Sequence, residues 1–79
     1  MNKMFTYNIS KTASNKAFKS TCSAIESKLT SIEKADLITD VDGSQVQIYN
    51  TKDGKIKVCN DYEVFAVYVD SEVNVTDIL

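Results

Sequence analysis

Residues 42–60 read DGSQVQIYNTKDGKIKVCN, a stretch that says nearly the same thing twice: Asp-Gly, an alternation of polar and apolar residues, then Asn. Asp-Gly is a hairpin dipeptide, because both residues tolerate the positive φ angles of primed turns. Between the two turns QVQIY alternates with Val46 and Ile48 on one side. After the second turn KIKV alternates with Ile56 and Val58 on one side. A period of two belongs to strands, so the repeat predicts successive hairpins, a meander, and not a pair of duplicated binding sites. A calcium loop of the EF-hand kind starting at Asp40 would need Gly sixth and Glu twelfth, where the chain has Gln45 and Thr51. A phosphate loop is equally absent, since neither of the two glycines precedes a helix.

Upstream, MFTYNI (4–9) alternates with Phe5, Tyr7 and Ile9 on one side, the pattern of a half-buried strand. The SKTAS that follows offers Thr12 or Ser14 as a helix N-cap. Phe18, Cys22, Ile25, Leu29 and Ile32 then fall on one stripe about 80° wide at a helical advance of 100° per residue. They predict a helix running to Ser31 or Glu33, whose back carries Ser20, Ser23, Ser27 and Ser31. LITDV (37–41) reads as a strand. Downstream, EVFAVYVD (63–70) is the most apolar run and reads as a central strand, with Phe65, Val67 and Val69 on one side and Val64, Ala66 and Tyr68 on the other. The tail adds a short strand through Val73 and Val75. The expected fold is α+β: a single domain over residues 1–79, in the order β-α-β-β-β-β, with one helix on one face of a mainly antiparallel sheet of about five strands.

A chain of 79 residues has room for one core of that size. Its composition, 43% hydrophobic and 25% charged, is that of an ordinary globular chain, and no apolar run approaches a bilayer span. The opening MNKMFTYNIS lacks the apolar centre of a signal peptide, so a cytoplasmic location is expected. Cys22 and Cys59 are too few and too isolated for a zinc site, and neither a metal nor a cofactor is expected. There is no His, Arg, Trp or Pro. Without His the commonest general base is missing, and without Arg so is the planar fork that reads phosphates and guanine in duplicate. Catalysis and direct nucleic-acid binding are therefore both disfavoured.

Charge divides along the chain. Residues 1–34 hold six lysines against two acids, and residues 35–79 three lysines against nine acids. Turn chemistry, which favours Asp, accounts for part of this. The remainder makes the sheet region a surface for a basic protein.

One helix covers one face of the sheet, leaving the other open. If Val46, Ile48, Ile56, Val58, Phe65, Val67 and Val69 face the helix, alternation places Gln45, Gln47, Tyr49, Lys55, Lys57, Cys59, Val64, Ala66 and Tyr68 on the open face. Asp61, Glu63, Asp70 and Glu72, with Tyr62 between them, bracket the strand that carries Val64 and Tyr68. The expected partner-binding set is thus Gln47, Tyr49, Lys57, Asp61, Tyr62, Glu63, Val64, Tyr68, Asp70 and Glu72. No catalytic residue is assigned. Lys57, Cys59 and Tyr68 could converge on the open face but form no nucleophile and base pair.

A tiny acidic chain with one helix on a meander, rich in Lys and Asn, free of Arg and without a catalytic motif resembles the small phage-encoded inhibitors of bacterial defence, anti-CRISPR proteins among them. The resemblance implies a non-enzymatic protein encoded by a phage or mobile element and active in the host cytoplasm. Such a protein would bind a basic or nucleic-acid-binding target without touching nucleic acid or membrane. The alternative is a homodimeric structural module that buries the open face against a second copy.

Overall fold

A computed structural model describes residues 4–79. The elements are β1 (Phe5–Ser10), α1 (Asn15–Lys28), β2 (Glu33–Lys34), β3 (Ile38–Thr39), β4 (Gln45–Thr51), β5 (Gly54–Asp61) and β6 (Ala66–Ser71). The sheet runs β1-β6-β5-β4-β2, with β3 also paired to β4, and every pairing is antiparallel. β2 and β3 follow one another along the same edge of β4, so they behave as one edge strand interrupted at residues 35–37. The expected α+β architecture is therefore present, with α1 lying against one face.

The Ser14 side chain caps α1, accepting from the Ala17 amide at 3.2 Å. A buried asparagine holds the same turn from the sheet: Asn60 Oδ1 accepts from the Ser14 amide at 3.1 Å, while its Nδ2 donates to Asn15 Oδ1 at 3.3 Å. The helix stops at Lys28, earlier than the apolar stripe suggests. Leu29 is already extended, at φ −110° and ψ 113°. Thr30 and Ser31 are weak helix formers, and Glu33 and Lys34 are taken up by the edge of β4. Leu29 and Ile32 still pack on the core from outside the helix.

The core holds Phe18, Ile25, Tyr49, Ile56, Val58, Val67, Val69 and Val75. Its composition corrects the expected orientation of β4. Gln45, Gln47 and Tyr49 pair with Asn60, Val58 and Ile56, so they lie on the helix side, and Val46 and Ile48 lie on the open face. Tyr49 is completely buried. Its hydroxyl donates to Glu26 Oε2 at 2.5 Å, and Lys34 Nζ lies 3.2 Å from that same oxygen. Gln47 Nε2 donates to the Ala35 carbonyl at 2.5 Å, satisfying backbone in the interruption between β2 and β3. Each polar atom turned inward thus has a partner, which removes the cost that would otherwise forbid it.

Three further expectations change. LITDV supplies only Ile38–Thr39 as strand. Val64 and Phe65 belong to the β5–β6 turn, because β6 begins at Ala66. No strand forms at Val73 and Val75; Val75 is buried in the core, its amide donating to the Tyr7 hydroxyl at 3.0 Å. The second hairpin turn also lies one residue earlier than the Asp53-Gly54 dipeptide predicts. Thr51 pairs with Gly54 across Lys52 and Asp53, and Gly54 opens β5 at φ 144°. A Cβ at Gly54 would lie 2.7 Å from Glu72 Cβ, so both backbone angle and close approach require glycine there.

Candidate functional site: an acidic groove across the open face

Register places Ile38, Val46, Cys59 and Tyr68 in one row across four strands, since Ile38 pairs with Val46, Val46 with Cys59 and Cys59 with Tyr68. This row floors a groove of about 440 Å³ whose walls include Asp40, Asp42, Asp61 and Glu63, with Lys57 as the single cation there among the described residues. Alternate turns of a meander fall at the same end of the sheet. That is why residues 40–44 and 62–65 meet, the Tyr62 amide donating to Ser44 Oγ at 2.9 Å.

The three aspartates are fixed by their own turns. Asp40 Oδ1 accepts from the Val41 amide at 2.7 Å, and Asp42 Oδ1 from the Ser44 amide at 2.8 Å. Asp61 Oδ1 accepts from the Glu63 and Val64 amides at 2.8 and 3.3 Å. The Ser44 amide, and then its hydroxyl, hold the Asp42 carboxyl below its ordinary value, so it is charged through the physiological range. On the floor the opposite holds. Burial pushes up the Cys59 thiol, which is 2% exposed, and burial followed by the Cys59 contact raises Tyr68 to about 12. The floor is neutral and the rim is anionic. A thiol shifted upward in this way is a poor nucleophile at neutral pH.

Apolar side chains stand exposed around the same end: Val41 fully, with Ile38, Val64 and Phe65 each more than half exposed and Tyr62 beside them. Phe65 has φ 57°, the only non-glycine residue at positive φ among those described. A bulky residue costs about 1 kcal/mol in that region. Phe65→Gly should therefore raise stability by about 0.5 kcal/mol after the added entropy of the unfolded chain, a rise of a few degrees in melting temperature. A lower melting temperature would show that the exposed ring packs well enough to repay its backbone.

Of the residues expected to bind a partner, Lys57, Asp61, Glu63 and Tyr68 line this groove, and Tyr62 and Val64 lie in the turn beside it. Asp70 faces Lys57 on the neighbouring row and accepts from Thr6 Oγ1 at 2.9 Å. Glu72 sits toward the other end of the sheet, where Oε1 accepts from the Lys55 amide at 2.9 Å. Gln47 and Tyr49 are on the helix side and cannot contribute. Ile38, Asp40, Val41, Asp42, Val46 and Phe65 were missed, although the meander itself implied that the turns at 40–44 and 62–65 would be neighbours.

Among the described residues no group of three His, Cys, Asp or Glu side chains is placed to hold a metal, and no helix is long and apolar enough to cross a membrane. No family model, curated protein or solved structure matches the chain.

Proposed function

We propose that this chain is a non-enzymatic inhibitor that binds a basic surface of another protein, seating lysine or arginine side chains in the acidic groove while Val41, Val64 and Phe65 pack beside them. The observation that carries this reading is the groove itself, a neutral floor of Ile38, Val46, Cys59 and Tyr68 rimmed by four carboxylates. Charged rims steer association and apolar centres slow dissociation, and the two occur together here. A strained exposed aromatic in the adjoining turn supports the same reading, because backbone strain is retained where it positions a side chain for use. Carboxylates spaced around a groove can stand in for nucleic-acid phosphates on the target. In this reading the target is a host nucleic-acid-processing or defence complex and the protein is encoded by a phage or mobile element.

The test begins with capture of the target on tagged protein from host lysate, followed by its affinity for a Val41→Ser/Val64→Ser double variant. Both positions are exposed, so folding is preserved. Affinity should fall by about tenfold or more, chiefly through faster dissociation. The wild-type chain should also displace nucleic acid from the captured target. Unchanged affinity, or a ternary complex with nucleic acid still bound, would remove this function.

A further inference from the structure

The two edges of the sheet are built differently. The edge at β2 and β3 is two short pieces with an interruption between them, and residues 33–39 carry Glu33, Lys34 and Asp36. Short, broken and charged edges resist pairing with another chain. The edge at β1 has none of these features along most of its length: Phe5–Ser10 holds no charge and no proline, and its pairing to β6 is regular from Phe5 to Asn8 before a bulge near Ser10. Among the described residues β1 pairs only with β6.

We propose that β1 is the self-association edge of this protein, pairing antiparallel with β1 of a second copy about a two-fold axis at Thr6. The axis must pass through a residue, because only then do helix-side residues meet helix-side residues and both faces of the joined sheet stay continuous. Centring on Thr6 confines the pairing to the regular part of the strand. It sets Thr6 opposite Thr6 of the second copy on the open face, and Phe5 opposite Tyr7 of the second copy on the helix side. Phe5 and Tyr7 already stack along their own strand, with ring centroids 6.5 Å apart. The two-fold extends this pair into a four-ring patch across the junction, the kind of cross-strand aromatic contact that stabilises antiparallel pairs. Growth stops at two copies, since the edges left free are the interrupted, charged ones. This inference does not rest on the groove, which lies on the open face near β3 to β6.

Analytical ultracentrifugation of the wild-type chain and disulfide trapping of two exposed single variants test it. Opposed residues in an antiparallel pair stand about 4.5–5.5 Å apart at Cα, within disulfide reach. Thr6→Cys should therefore cross-link to itself on mild oxidation. Asn8→Cys should not, because its counterpart is displaced along the strand by several residues. The wild-type chain, with its own Cys22 and Cys59, sets the background. The expected result is a concentration-dependent dimer of twice 8.8 kDa and Thr6→Cys cross-linking about tenfold or more above both Asn8→Cys and wild type. A monomer at all concentrations up to about 1 mM would overturn the proposal. So would a dimer in which Asn8→Cys cross-links as readily as Thr6→Cys.

Discussion

Tyr49→Ala should lower the stability of the domain by about 3 to 5 kcal/mol, whereas Ile48→Ala, one residue away, should cost about 1 kcal/mol or less. A domain of this size has about 4 to 12 kcal/mol in total, so the first variant approaches unfolding at room temperature. The asymmetry is informative because hydrophobicity alone orders the two residues the other way. Tyr49 is completely buried between the sheet and α1, and Ile48 is half-buried on the open face. Removing the phenol leaves a cavity in the core and deprives Glu26 of one of its two donors, the other being Lys34. Chemical denaturation of both variants decides the matter, and equal losses would contradict the register of β4.

Tyr49→Phe isolates the hydrogen bond. The Tyr49 hydroxyl and then Lys34 hold the Glu26 carboxyl below its ordinary value. A carboxyl depressed in the folded state contributes stability that is fully present above its unfolded value and is lost as pH falls through the folded one. Tyr49→Phe removes the larger of these influences, so its acid unfolding midpoint should move to higher pH.

This region also shows where the sequence was legible and where it was not. The period of β4 and its turns were readable, because Asp-Gly and strict alternation are local signals. Its facing was not local. Val46 and Ile48 are more apolar than Gln47 and Tyr49, and a strand read by itself turns them inward. What reverses the choice lies in distant parts of the chain: Glu26 receives the phenol and the Ala35 carbonyl receives the Gln47 amide. The helix end failed for a similar reason, since the claim of β4 on Glu33 and Lys34 is a tertiary contact. The groove was half legible. Asp61 and Glu63 follow from the acidic bracket around the apolar strand and Tyr68 from the alternation within it, whereas Asp40 falls in an expected strand and Asp42 in a hairpin turn. They are turn chemistry, and the same turns aim them at the groove.

That double role shapes the most decisive binding variant. Replacing Asp40, Asp42 and Asp61 by Lys would break the turns as well as the charge. Asp→Asn at these three positions with Glu63→Gln keeps an acceptor oxygen for every backbone amide that the aspartates bind. It takes the formal net charge from −2 to +2 while leaving the turns in place. Stability should stay within about 1 kcal/mol of wild type, since exposed charges contribute little. Association with the captured basic target should slow by about 10- to 100-fold at low salt, because steering is lost, and the two proteins should converge as salt rises and screens the wild-type field over about 10 Å at 0.1 M. Asp70→Asn/Glu72→Gln is the matched comparison. Neither residue lines the groove, and each replacement keeps an oxygen for the hydrogen bond recorded there, from Thr6 or from the Lys55 amide. If net charge alone governs association, this pair should produce about half the effect in logarithmic terms, whereas a groove that seats cationic side chains should leave it nearly silent. A quadruple variant that associates at the wild-type rate at low salt would mean that the carboxylates serve only their turns.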